Sequence, residues 1–166
     1  CDHCYAIGVV HREMSPQHVG LTIKRPGEPT DWTGEVRPAP QVLDKPLHWR
    51  RPRRIFVNSL SDLFHPDLPD AEIAKVFAVM ALAPQHSFQV LTKRPQRMAA
   101  LLNSSDFWGD YDSGVYDEMN RREPERDEAH SLARFQLLEH AWVHGLPNVW
   151  LGTSIESDRY TFRADH

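Results

Sequence analysis

Cysteine is scarce in this chain. Two residues in 166, Cys1 and Cys4, exclude a disulfide framework and leave a single C-x-x-C pair to explain. Long apolar runs are missing too: no stretch reaches the roughly 20 residues that a membrane-spanning helix needs, and no secretory signal pattern is present. A cytoplasmic protein without a membrane partner is therefore expected. Charge of one sign is also lacking, with 19 basic against 23 acidic residues and a net charge of −4, so the bulk composition demands neither a nucleic acid nor a lipid surface. The 10 histidines are scattered; His140 and His144 have helical spacing but lack the intervening glutamate that a zinc protease carries.

With 40% hydrophobic residues, the chain is long enough for one core and too short for two, so a single α/β domain over 1–166 is expected. The chain opens on a cysteine and closes on "DRYTFRADH", which has helix-forming character and no C-terminal cap. An internal piece of a longer protein, truncated at both ends, is the expectation. Residues 1–53 read as a cysteine loop followed by an irregular segment, because Pro26, Pro29, Pro38, Pro40, Pro46 and Pro52 interrupt every periodic run.

From Arg54 the pattern changes to βα repeats, expected over 54–166. "RIFVNSLSD" gives a short apolar strand, Ile55 to Val57, that ends in Asn58, Ser59, Ser61 and Asp62. A helix carrying Ile73, Val76, Phe77 and Met80 on one face follows, with Asp70 as its cap and Pro84 as its stop. A second strand, Phe88 to Leu91, runs out into Thr92, Lys93 and Arg94, and Pro95 suits the first turn of the next helix. Residues 104–128 are polar and read as an insertion with Phe107, Trp108, Tyr111 and Tyr116 as anchors. A helix at about 129–143 precedes a third strand, Val149 to Leu151, ending in Thr153, Ser154 and Glu156. Strand–helix alternation implies parallel βαβ units. Strands that are apolar throughout suit a sheet covered on both faces. An open doubly wound sheet fits the spacing, and the strand ends favour a fragment of a partial TIM-like α/β barrel.

In a parallel α/β fold the C-terminal strand ends share one face, where sites form. Polar strand ends are ordinary solvated loops when taken singly; three in succession point to a functional mouth. Asp62 and Glu156 are candidates for a ligand amine or ribose, and Lys93 and Arg94 for an anionic group, against the plainer reading of a hydrated charge pair at a helix entry. Cys1 and Cys4 are metal-ligand candidates, since a two-residue loop lets both thiolates converge on one ion or cluster. His3 or His11 would complete a zinc site; a further cysteine upstream would complete an iron–sulfur site.

"CDHCYA", "RIFVNSLSDLFH", "FQVLTKRPQRM" and "NVWLGTSIES", in this order along nearly the whole chain, resemble the phage-protein family labelled by gene products thirty-seven and sixty-eight, also described as three-cysteine-motif proteins. That family is similar to the radical S-adenosylmethionine enzymes, with an α/β barrel and a three-cysteine loop after the first strand. The resemblance implies that Cys1 and Cys4 are the second and third ligands of a 4Fe–4S cluster, the first lying upstream. S-adenosylmethionine would chelate the open iron, and its reductive cleavage would give a 5′-deoxyadenosyl radical. His3 matches a position near the adenine. Ser59, Ser61 and Asp62 are then candidates for the methionine amino group, and Thr153, Ser154 and Glu156 for the ribose or substrate. No substrate carries over, and a genomically neighbouring partner protein is implied. The alternative function is a non-catalytic zinc-binding module whose Lys93-Arg94 face contacts nucleic acid or a protein partner.

Overall fold

The computed structural model describes residues 4–122, 136, 141 and 144–165. Cys1, His3 and most of the expected helix at about 129–143 lie outside the described residues. The proline-rich first third holds only short elements: helix α1 (Tyr5–Val10), the two-residue antiparallel strands β1 (Thr22–Ile23) and β2 (Asp31–Trp32), and helix α2 (Lys45–His48). Beyond it come β3 (Arg54–Val57), α3 (Asp70–Ala81), β4 (Ser87–Thr92), α4 (Pro95–Leu102), α5 (Ser105–Arg122) and β5 (Val149–Thr153). A 3₁₀ segment, Asp158–Asp165, ends the described chain.

Strands β3, β4 and β5 form a parallel sheet in that order, with Phe56 opposite Gln89 and Gln89 opposite Trp150. The expected parallel α/β arrangement is therefore present, as an open sheet; no closed barrel forms among the described residues. Helix α3 forms because Ile73, Phe77 and Met80 recur at helical spacing and all three are buried. Its start differs from the expectation. Pro69 is the N-cap and no side-chain capping bond forms; Asp70 and Glu72 are instead first-turn acids that suit the helix dipole.

Among the described residues the sheet is covered on one face, not on the expected two. Along β4 burial alternates residue by residue, with Phe88, Val90 and Thr92 inside and Ser87, Gln89 and Leu91 outside. The inner side chains join the core built from α3 and α5. On the other face Phe56, Leu91 and Trp150 stay 45%, 44% and 67% exposed. Apolar side chains stand on both sides of these strands, but among the described residues only one side has helices over it.

The polar stretch expected as an insertion is helical through its described part. Phe107, Trp108, Tyr111 and Val115 are buried on one side of α5, whereas Tyr116, the fourth expected anchor, is half exposed. Gly114 explains the close approach to α3: a Cβ placed there would lie 3.2 Å from the Ala78 Cβ and 3.5 Å from the Lys75 Cα. Phe107 packs edge-on against Phe77, with ring centroids 5.4 Å apart.

One buried histidine fastens the irregular segment to the sheet. His86 accepts the Arg53 N–H at its Nδ1 (3.2 Å), which leaves Nε2 to donate to the Pro46 carbonyl (2.9 Å). His86→Phe keeps the ring volume and abandons both backbone groups, so a loss of about 1–3 kcal/mol in urea unfolding is expected. No helix among the described residues is long and apolar enough to cross a membrane.

Candidate functional site at the strand ends

The C-terminal ends of β3, β4 and β5 meet in one hydrogen-bonded cluster. Strand β3 leaves the sheet through Asn58, which takes a left-handed conformation (φ 56°) that asparagine tolerates better than most residues. The turn that follows brings Asp62 beneath the end of β4. There its Oδ1 accepts the Thr92 hydroxyl (2.7 Å) and the Phe64 N–H (3.0 Å), while Oδ2 accepts the Lys93 N–H (3.1 Å) and the Arg94 Nη1 (2.7 Å). Burial alone would push the Asp62 carboxyl up. The Thr92 hydroxyl, the two backbone N–H groups and the Arg94 guanidinium outweigh it and hold the carboxyl below its ordinary value.

Thr92 works in both directions. Its hydroxyl oxygen accepts the Arg94 N–H (2.9 Å), and its carbonyl accepts the Ser154 N–H (2.8 Å) and the Thr153 hydroxyl (3.2 Å). Lys93 forms an ion pair with Glu156, which lowers the Glu156 carboxyl below its ordinary value. Arg97, on the first turn of α4, donates to the carbonyls of His65 and Leu68 and to Asp70, and so holds the loop between β3 and α3.

These contacts bring together Ser59, Ser61, Asp62, Lys93, Arg94, Thr153, Ser154 and Glu156 at one end of the sheet. They also separate their roles. Asp62 is saturated by four donors, and Lys93 and Arg94 each face a carboxylate. The hydroxyls of Ser59, Ser61 and Ser154 make no hydrogen bond among the described residues.

The cysteine segment comes to the same end. Cys4 is half-buried at the start of α1, with extended backbone (φ −78°, ψ 105°). The next residue, Tyr5, donates its hydroxyl to the Ser59 carbonyl (2.6 Å), just beyond β3. His11, a candidate zinc ligand, has its Nδ1 3.0 Å from the Thr22 hydroxyl. Among the described residues no group of three or more His, Cys, Asp or Glu is arranged to hold a metal ion.

A family model described as Protein of unknown function (DUF5131) matches residues 1–166. The chain belongs to that family. No curated protein and no solved structure matches the chain. The match covers the cysteine segment and all three strand ends, so the cluster described above lies within the family's span. Composition alone hides one further feature of this DUF5131 chain: Arg50, Arg51, Arg53 and Arg54 fall within five residues that end on the first residue of β3. A block of like charge was its signal, masked by the balanced total.

Proposed function

We propose that this chain belongs to an iron–sulfur enzyme of the radical S-adenosylmethionine type, acting at the C-terminal end of a partial TIM-like barrel. The observation that carries the reading is the Tyr5–Ser59 hydrogen bond, which holds the cysteine segment against the end of β3. Two further features support it. The three strands are parallel and adjacent in sequence order, and the helices among the described residues cover one face, as in the wall of a barrel.

The donors fit an iron–sulfur group in kind, since such groups take thiolates. Cys1 and Cys4 are the cysteines this sequence offers, and a third thiolate from outside these 166 residues is part of the proposal. When bound, the cluster supplies the electron that cleaves S-adenosylmethionine to a 5′-deoxyadenosyl radical. The chain's own residues bind and orient. Ser59 and Ser61 offer hydroxyls to the methionine amino group from the β3 end, and Ser154 offers one to the ribose from the β5 end. Asp62 is a positioning residue, because its oxygens are already occupied by the backbone and side chains of the neighbouring strand end.

Anaerobic reconstitution of the full-length protein with iron and sulfide tests the reading. Charge-transfer absorbance that is lost in Cys4→Ala, together with 5′-deoxyadenosine formation on addition of reductant, is expected. A colourless protein that binds a single zinc ion would sink the proposal and favour a structural metal module.

A further inference from the structure

The uncovered sheet face carries a second functional reading. Phe56, Gln89 and Trp150 stand side by side across three strands in one register row. With Leu91 and Gly152 they line a shallow depression of about 260 Å³. The two aromatic rings flank a primary amide, which both donates and accepts hydrogen bonds. Strand spacing sets the rings roughly 9–10 Å apart. Arg54 lies two residues before Phe56 and so projects from the same face, and no strand residue on this face is acidic.

The charge next to this row is unusual for a protein of net charge −4. Arg50, Arg51 and Arg54 are exposed, and none of them pairs with a carboxylate among the described residues. Arg53 is also exposed and lies over the Trp49 ring, 4.5 Å from its centroid. By contrast, Lys93 and Arg94 at the other end of β4 both face carboxylates. Among the described residues, the densest run of cations without a carboxylate partner therefore lies where the aromatic face begins.

We propose that this face binds single-stranded nucleic acid, with unpaired bases stacked on Phe56 and Trp150, a base edge read by Gln89, and the backbone phosphates on the arginine run. Stacking platforms beside a cationic track are the chemistry that single strands require. An apolar peptide would use the aromatic row and leave the arginines without a role. The proposal goes beyond the reading above: it concerns the open face of the sheet, and its arginine run lies at the opposite end of the strands from the Asp62 cluster. Binding itself needs no cluster.

The test uses cluster-free, full-length protein and fluorescein-labelled 12-nucleotide oligo(dT), oligo(U) and a 12-base-pair duplex, followed by anisotropy. Micromolar binding of either single strand at 50 mM salt, weakening steeply by 200 mM, is expected. Arg50→Glu/Arg51→Glu/Arg54→Glu should weaken it at least tenfold and reduce the salt slope by about 2, at roughly 0.7 for each phosphate left unneutralised. Trp150→Ala should weaken it about tenfold while leaving the salt slope unchanged. Thermal melting of each variant shows that the fold is kept. A preference for one sugar identifies the strand as RNA or DNA, and either supports the proposal.

Equal binding of the duplex would overturn base stacking on this face. So would variants that bind like the parent protein, or no binding of single strands at 50 mM salt. A dimer seen by light scattering and dissolved by Trp150→Glu would assign the face to a second copy of the chain and overturn the proposal. Because no iron is present, a failed reconstitution leaves this result intact, and a failure here leaves the cluster experiment intact.

Discussion

Asp62→Ala should cost about 3–5 kcal/mol in equilibrium unfolding, because it removes the acceptor for one guanidinium, one hydroxyl and two backbone N–H groups at once. The loss falls mainly on the buried Thr92 hydroxyl and the backbone N–H groups, where an unmet hydrogen bond is costlier than a made one is favourable, while the Arg94 side chain, 37% exposed, regains water. Asp62→Asn keeps the shape but turns an NH₂ group toward donors, and should fall between the parent protein and the alanine variant.

The acid limb of the stability curve provides an independent check. The folded-state carboxyl of Asp62 is held below the ordinary value of about 3.9. A depressed folded value means that the folded state holds its proton less readily than the unfolded chain does. The contribution is therefore complete above the unfolded value and is lost as pH falls through the folded one. Stability of the parent protein should drop on acidification below about pH 4, and Asp62→Asn should show a shallower drop. Identical acid limbs would mean that Asp62 is ionised no more easily in the fold than outside it.

Phe107→Ala is expected to cost about 3–5 kcal/mol, the range for deleting a fully buried aromatic ring. The ring is 1% exposed and packs edge-on against Phe77 and Trp108. If residues 104–128 were a loop laid over the surface, the same substitution would change stability by no more than about 0.5 kcal/mol. Urea unfolding of this one variant thus decides whether α5 belongs to the core. A matched change at the exposed Tyr116 should be nearly silent.

The contrast between Phe107 and Asp62 shows what could be read from the chain and what could not. Strands β3, β4 and β5 were recoverable because each is a short apolar run with a polar exit. Helix α3 was recoverable because its apolar residues recur at one period. Helix α5 was obscured by composition: Gly109, Asp110, Asp112, Gly114 and Asp117 look like loop residues. Phe107, Tyr111 and Val115 nonetheless fall at intervals of four, a helical spacing that the surrounding polarity hides.

The strand-end residues were identifiable as a group, since three parallel strands deliver their exits to one side. Their separate roles were not. A carboxylate at a strand end has the same sequence signature whether it waits for a ligand or, like Asp62, is enclosed by donors from a segment about thirty residues away. The same limit applied to the sheet faces. Phe56, Leu91 and Trp150 read as core in an apolar run, and only the packing shows that nothing among the described residues covers them.

Thr92 joins the exits of all three strands through its hydroxyl and its carbonyl. The amide hydrogens of Lys93, Arg94 and Ser154 should therefore exchange with solvent deuterium together, through one opening event, as members of a cooperative unit do. Independent fraying of each loop would give three unrelated rates. In kinetic terms, Thr92 should make the three strand ends open as a single hinge, so that a contact stabilising one end would slow the breathing of the other two.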